Sequence, residues 1–439
     1  MEYSNSRNHL SRLASKEEIK SSLYEIKFDA ANPQYGGIPL YADSDAVFIE
    51  HTDTHSLTIG STGSKKTRLI GMPSLFTYIK AGESFVTTDP KAELYEKMYP
   101  LLKENDYNIF VLNLREPGSS NCWNPLIIPY LLYHNNQRDK AIELINDVAG
   151  SITKNNHSCD PYWHNSAADL LTGLILLLCE CAGKNEINFK SLRMLRTQAF
   201  KSNKNEIPYI KEYFLDHLDA SSFICSLLNG TAEVYDSTRG CIVSVFDLAL
   251  RPFFSQDNLI DMLSVNDIDM GKIGIEKTAV FMIMPDENTL YHSLICVFIK
   301  LRYGDEAGVI KGNCEDWVVL HSREKSMIEE LIFLAGNKNH EEPLISASMF
   351  QTMSKEEGEA FILNKRSYPF ITKLLDIDSY PDIMRHDKKA AYPKNNRKVK
   401  HFFNLENFCR EKDDFFLSQL FSGKSHEEIS KDCKGLEKY

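Results

Sequence analysis

The chain has 439 residues, a formal net charge of −11 and ten cysteines; 43% of its residues are hydrophobic and 25% are charged. That balance is globular, the length allows two or three packed units, and the acidic excess excludes a protein whose whole surface is a nucleic-acid footprint. The cysteines are scattered, and the one close pair, Cys179 and Cys181, is misspaced for a zinc knuckle or a redox Cys-x-x-Cys, so a reduced cytoplasm is expected.

The N-terminal stretch 1–20 is polar and has no apolar signal core, and 1–44 reads as an irregular lead-in with a turn or β-edge segment at 35–39. Strands are predicted at 46–49 and 55–59, the second running into a glycine loop at 60–64 and then a helix over 66–81. A strand at 84–88 closes on Asp89-Pro90, a helix follows over 92–103 and a strand over 108–112. Strands alternating with helices imply a parallel α/β sheet. From 129 to 230 the β signal fades and helical spacing takes over at 140–149, 166–182 and 191–198. The apolar run 170–179 is too short to span a bilayer and reads as a buried helix. The α/β pattern returns within 231–382, with strands at 278–284, 316–320 and 359–363 and a helix at 290–301. Residues 383–439 turn basic and polar, as a linker would, with a short helix at 405–420. The expected domains are therefore 45–128 and 231–382 as one split α/β domain, 129–230 as an all-helical insertion, and two flanking segments.

Gly60-Ser61-Thr62-Gly63-Ser64-Lys65-Lys66-Thr67 is one residue away from the phosphate-loop pattern Gly-x4-Gly-Lys-Ser/Thr. In that pattern glycines let backbone N–H groups converge on phosphate oxygens at a helix N-terminus, the lysine reaches the outer phosphates and the hydroxyl holds Mg²⁺. Lys66 and Thr67 fit the last two roles, which makes Thr67 the candidate metal ligand. Lys65 stands where the second glycine is expected, and a side chain forced into the left-handed conformation costs roughly 1–2 kcal/mol. ATP hydrolysis also needs an acidic strand end to hold Mg²⁺ and orient water. Asp89, after the strand 84–88, and Asp286-Glu287, after the strand 278–284, are imperfect candidates; ordinary turn chemistry and an ordinary helix start are the stronger explanations of them.

Taken in order, the segments Tyr35 to Leu40, His55 to Arg68, Thr88 to Leu94, Leu112 to Leu114, Trp123 to Leu126, Ser237 to Gly240, Leu250 to Phe253, Lys277 to Asp286 and Gly312 to Cys314 resemble the TraG-like coupling proteins of conjugation and type IV secretion. The resemblance spans roughly 35–382. It implies a RecA-like phosphate-loop NTPase core, ATP and Mg²⁺ as cofactors, DNA and relaxosome or secretion-channel proteins as partners, and a homo-hexameric ring. It places Gly60, Ser61, Thr62, Gly63, Ser64, Lys65, Lys66 and Thr67 at the nucleotide, Asp89, Lys91 and Glu93 near it, and Arg239 at a subunit boundary, where an arginine can serve a neighbouring site.

The chain departs from the family in Lys65 and in Ala92, each standing for a glycine, and in the short stretch Arg302 to Lys311, where the family carries an acidic catalytic strand. Transmembrane helices common in the family are also missing, so the expected location is cytoplasmic or peripheral at the cytoplasmic face of the membrane. The resulting expectation is a conjugative DNA-transfer protein impaired in hydrolysis, the alternative being a non-catalytic scaffold that docks on conjugation proteins. Two further motifs have plain readings. Asp160 to Ser166 reads as a helix cap by Asn165 or Ser166 rather than a catalytic His, Asp and Ser set. The basic-aromatic run Lys394 to Phe403 fits single-strand contact but is also an ordinary solvated tail.

Overall fold

The computed structural model describes residues 10–153, 160–201, 208–211, 215, 222–285, 291–303, 314–339, 342–364, 367–383 and 389–411. In chain order the elements are α1 (Lys16–Ser22), β1 (Tyr24–Lys27), β2 (Ile38–Ala42), β3 (Ala46–Glu50), β4 (His55–Ile59), a π-helical turn (Thr67–Gly71) running into α2 (Met72–Ala81), β5 (Phe85–Thr88), α3 (Glu93–Glu104) and β6 (Asn108–Asn113). Helices then follow one another: α4 (Ile127–His134), α5 (Arg138–Thr153), α6 (Pro161–Cys181), α7 (Phe189–Ala199), α8 (Phe223–Ala232), α9 (Asp236–Phe254) and α10 (Asp257–Met262). The chain closes with β7 (Thr278–Ile283), α11 (His292–Tyr303), β8 (Cys314–Val319), α12 (Lys325–Ala335), α13 (Ala347–Thr352), β9 (Glu359–Leu363) and β10 (Phe370–Lys373).

The chain folds as two compact units, 1–111 with 270–283 and 306–392, and 112–269 with 284–305 and 393–439. The first holds three small sheets, ordered β1-β3-β2, β10-β9-β8-β4 and β5-β7-β6. Parallel pairing, expected from the strand and helix alternation, joins β4 to β8 and β5 to β7. The antiparallel pairs β1·β3, β2·β3, β8·β9 and β9·β10 were not foreseen. They correct the irregular lead-in: residues 16–42 form α1, β1 and β2, and Ile19, Leu23 and Leu40 pack with Phe48 and Val318 in one core cluster. Short strands interrupted by Pro39 and flanked by Pro369 give little periodic signal, so the sequence shows β2 only as the turn or β-edge segment at 35–39 and β10 not at all.

The main core of this unit packs Phe76, Ile79, Tyr95, Met98 and Leu102 of α2 and α3 against Phe85 and Phe281. β7 sits between β5 and β6 and is buried along its whole length, as a continuous apolar run buried on both faces should be. β4 ends its sheet among the described residues, and it is exposed at His55 and half-buried from Ser56 to Ile59.

In the second unit α6 is the central helix, packed by α5, α8 and α9 and buried from Leu170 to Cys179. A Cβ on Gly173 would come within 2.5 Å of Leu228 Cδ2, so the glycine sets how closely α8 approaches. The helices α8, α9 and α10 carry this unit beyond the boundary expected at 230. The cap of α6 is Asp160, accepting from Tyr162 N at 3.0 Å, rather than Asn165 or Ser166, because the helix starts a turn earlier on Pro161. The basic tail is also corrected. Arg397 pairs with Asp267, Lys398 with Asp261 at 2.9 Å, and Phe403 N donates to Ser191 Oγ at 2.8 Å, so 397–403 is a packed strap in which Arg397 and Lys398 are engaged by the protein itself and Lys400 stays exposed. Residues 405–411 are helical, and the rest of the predicted 405–420 helix lies outside the described residues. No helix among the described residues is long and apolar enough to cross a membrane.

Candidate phosphate-binding site

The loop leaves β4 at Gly60 and enters the π-helical turn at Thr67, so the strand, loop and helix order matches the sequence reading. A Cβ at Gly60 would collide with Ser64 Oγ and approach Leu320 Cβ to 3.1 Å, so only glycine lets the loop close on itself there. Ser64 N donates to Ser61 O at 3.1 Å, and Ser64 is 2% exposed with its hydroxyl hydrogen-bonded to nothing among the described residues. A buried hydroxyl without a partner costs about 1–3 kcal/mol.

Gly63 has φ +75° and Lys65 has φ +63°. The backbone therefore keeps the left-handed conformation for which glycine was expected at 65, and a lysine bears the strain. The Lys65 side chain leaves the loop and forms an ion pair with Glu356 at 2.8 Å, and this holds the Glu356 carboxyl below the usual carboxylate range. Lys66 behaves differently: its Nζ folds back over the loop and donates to Gly60 O at 2.7 Å and Ser61 O at 3.2 Å. Carbonyls of the loop hold this ammonium where a phosphate would compete for it. Thr62, Gly63 and Thr67 are exposed on the loop's rim. The helix opens with a π turn rather than an α turn, a form often found at functional sites.

Arg68, next in sequence, donates from Nε to Asp376 at 2.8 Å and from Nη2 to Asp376 and Asp378, while Lys97 of α3 reaches Asp378 at 2.8 Å. Burial pushes the Asp376 carboxyl up, but Arg68 and the Asp378 backbone N–H outweigh it and leave the group below its ordinary value; Lys97 and then Arg68 lower Asp378. These pairs tie the first turn of the loop's helix to α3 and to the chain after β10.

Asp89 is 2% exposed and accepts from Tyr95 N at 2.8 Å, so its carboxylate caps the start of α3. Burial raises its pKa, against the pull of the Tyr95 and Leu94 backbone N–H groups. Ala92, the N-cap residue of α3, has φ +63°, again the conformation of the glycine it replaces. Lys91 and Glu93 are exposed on either side of it. Asp286 and Glu287 lie outside the described residues, as do 304–311 of the short stretch Arg302 to Lys311. Arg239, on α9, donates to Thr231 O, Ala232 O and Val234 O and pairs with Asp236 at 2.9 Å, so the structure uses its fork to cap the end of α8.

His321 was not singled out by the sequence. It follows β8, the parallel neighbour of β4, and its carbonyl accepts from Ser61 N at 2.9 Å while its Nδ1 lies 3.0 Å from Ser61 Oγ. A sequence carries a signal for it only once the β4·β8 pairing is known, because ligands in such folds gather beyond the carboxyl ends of parallel strands.

The family described as Type IV secretory system Conjugative DNA transfer matches residues 6–303. Among solved structures, the chain is similar to the bacterial conjugative coupling protein TrwBdeltaN70 in its unbound form, with 11% identity, 89% of this chain and 95% of the other covered, and a TM-score of 0.54. It is similar to the plasmid coupling protein TrwB in complex with the non-hydrolysable ATP analogue ADPNP, with 11% identity, 88% and 97% covered and a TM-score of 0.56. The complex of TrwB with ADP and Mg²⁺ matches with 11% identity, 89% and 96% covered and a TM-score of 0.54. At this identity the likeness establishes the fold. No curated protein matches the chain.

Proposed function

Because the chain belongs to the Type IV secretory system Conjugative DNA transfer family, we propose that it serves type IV secretion as a coupling-type subunit whose phosphate loop still binds ATP with Mg²⁺ while hydrolysis is impaired. The observation that carries the binding half is the loop itself: left-handed backbone at 63 and 65, Lys66 Nζ held on loop carbonyls, and the buried, partnerless Ser64 hydroxyl. In this reading the backbone amides of the loop and Lys66 take the phosphates, Thr67 holds the metal, and bound Mg²⁺ neutralises phosphate charge. Solved relatives with a nucleotide, TrwB with ADPNP and TrwB with ADP and Mg²⁺, support the choice of ligand.

The impaired half is favoured by Asp89. Its oxygens are engaged by the amides of α3, in a buried position that disfavours the charged form, which is a poor setting for a metal-holding acid. A non-catalytic scaffold that docks on DNA-processing or channel proteins, or joins a hexameric ring as a mixed subunit, is the reading this favours if nucleotide binding fails. Titration calorimetry with the non-hydrolysable ATP analogue and Mg²⁺ decides between them. The expected result is a saturable signal in the wild type that Lys66→Ala weakens by roughly tenfold or more; a wild type without signal, and a Lys65→Gly variant also without, would overturn the nucleotide reading. Co-purification with a complete coupling protein then tests the scaffold.

A further inference from the structure

We infer that His321 is a phosphate-contacting residue of the loop, its Nε2–H donating to the terminal phosphate while Ser61 fixes the ring; this rests on the nucleotide reading above. The pairing of β4 with β8 places Ile59 beside Val319, and the ladder continues past both strands, with Leu320 N donating to Ile59 O at 2.8 Å and Ser61 N donating to His321 O at 2.9 Å. His321, two residues after β8, is thereby pinned by its backbone against the second residue of the loop. The imidazole then makes one side-chain contact, Nδ1 to Ser61 Oγ at 3.0 Å. A serine hydroxyl that donates to Nδ1 leaves the proton on Nε2, on the far side of the ring. Nε2 has no hydrogen-bond partner among the described residues, and the ring is half-buried, so the donor is held in place by Ser61 and left available at the lip of the loop.

A second, separate feature of the loop is consistent with a ligand here. Ser64 Oγ is buried, partnerless, and packed against the position a Gly60 side chain would take, beneath the same lip. The chemistry that fits an N–H donor, a folded-back ammonium and a buried hydroxyl is a phosphate of a nucleoside triphosphate. The outermost phosphate is the one that distinguishes ATP from ADP, and a donor standing on the neighbouring strand end, outside the loop's own backbone, suits that one.

The test compares His321→Asn, whose amide reproduces the Nδ1 contact with Ser61, with His321→Gln, whose longer side chain places a donor near Nε2. Affinities for the ATP analogue and for ADP, each with Mg²⁺, are measured on the full chain. Expected is a loss of roughly tenfold or more for the ATP analogue in His321→Asn, recovery to within about threefold in His321→Gln, and little change for ADP in either. Equal affinities in the two variants, both as wild type or both reduced, would overturn the role and leave His321 a structural support. Failure of the wild type to bind either nucleotide would instead sink the nucleotide reading and the inference with it. Nitrogen NMR of the ring gives a readout independent of folding differences between variants: the Nε2-protonated tautomer, with an Nε2 shift that moves on adding the ATP analogue but not ADP, is expected. The Nδ1-protonated tautomer overturns the inference.

Discussion

β7 and β4 lie in the same unit and differ in what they are made to do. β7 is buried at every position and pairs on both sides, whereas β4 pairs with β8 and is exposed or half-buried throughout. The loop that defines the candidate site hangs from the second. Among the described residues β7 leads into no candidate residue, and the strand that leads into the loop is only half-buried, so stability and binding should respond to different substitutions. The largest expected effect tests that separation. Phe281 is fully buried, with ring contacts to Phe85 at 5.7 Å and Tyr95 at 5.2 Å, and Phe281→Ala should cost about 3–5 kcal/mol in urea unfolding. Leu57→Ala in β4 should cost less than about 2 kcal/mol. Comparable losses at the two sites would break the contrast.

The same contrast governs what could be read from the sequence. A strand buried on both faces is a continuous apolar run, so β7 was legible nearly to the residue, as were the buried stretch of α6 and the loop with its misplaced lysine. The conformation of Lys65 was legible too, because a pattern that wants glycine specifies backbone geometry, and φ +63° is that geometry; Ala92, which the sequence marked only as standing for a glycine, adopts the same φ. What escaped depended on partners far away in sequence. His321 matters through Ser61, Arg239 through the carbonyls at the end of α8, Lys65 through Glu356, and no local spacing announces any of these. β1 and β10 escaped, and β2 showed only as a turn or β-edge segment, because short antiparallel strands gain their identity from neighbours rather than from periodicity.

The next effect should fall on binding and leave stability alone. Lys66→Ala removes the ammonium held by Gly60 O and Ser61 O, and its loss should weaken the ATP analogue by about 1.5–3 kcal/mol, while the unfolding free energy from urea titration changes by less than about 0.5 kcal/mol. A large loss of stability would mean that the loop is a packing element after all. Lys65→Gly and Ala92→Gly should move in the opposite direction. Each relieves left-handed strain of roughly 1–2 kcal/mol and incurs the roughly 0.5–1 kcal/mol entropy of a glycine, which leaves a gain of about 0–1.5 kcal/mol. Ala92→Gly is the cleaner case, since Lys65→Gly also removes the exposed pair with Glu356. A loss of thermal stability in Ala92→Gly would show that the native φ is not strained.

The smallest effect concerns acid. Asp376 and Asp378 are held below the ordinary aspartate range, mainly through Arg68 and Lys97, so their pairs contribute stability above that range and lose it as the pH falls through and below about 3.9. Because these groups are partly exposed, each pair is worth at most about 1 kcal/mol. Asp89 runs the other way: burial raises it, so the protonated carboxyl is favoured in the folded chain and stability is lost as the pH rises through its folded value. Urea unfolding of the wild type between pH 3 and pH 6, set against Asp376→Asn, separates the two. The substitution should flatten the acid side of the curve and leave the slope due to Asp89 in place. An unchanged acid side would mean that Arg68 does not tie the loop's helix to the chain after β10 in solution. The link between the loop and the core would then rest on α2 alone.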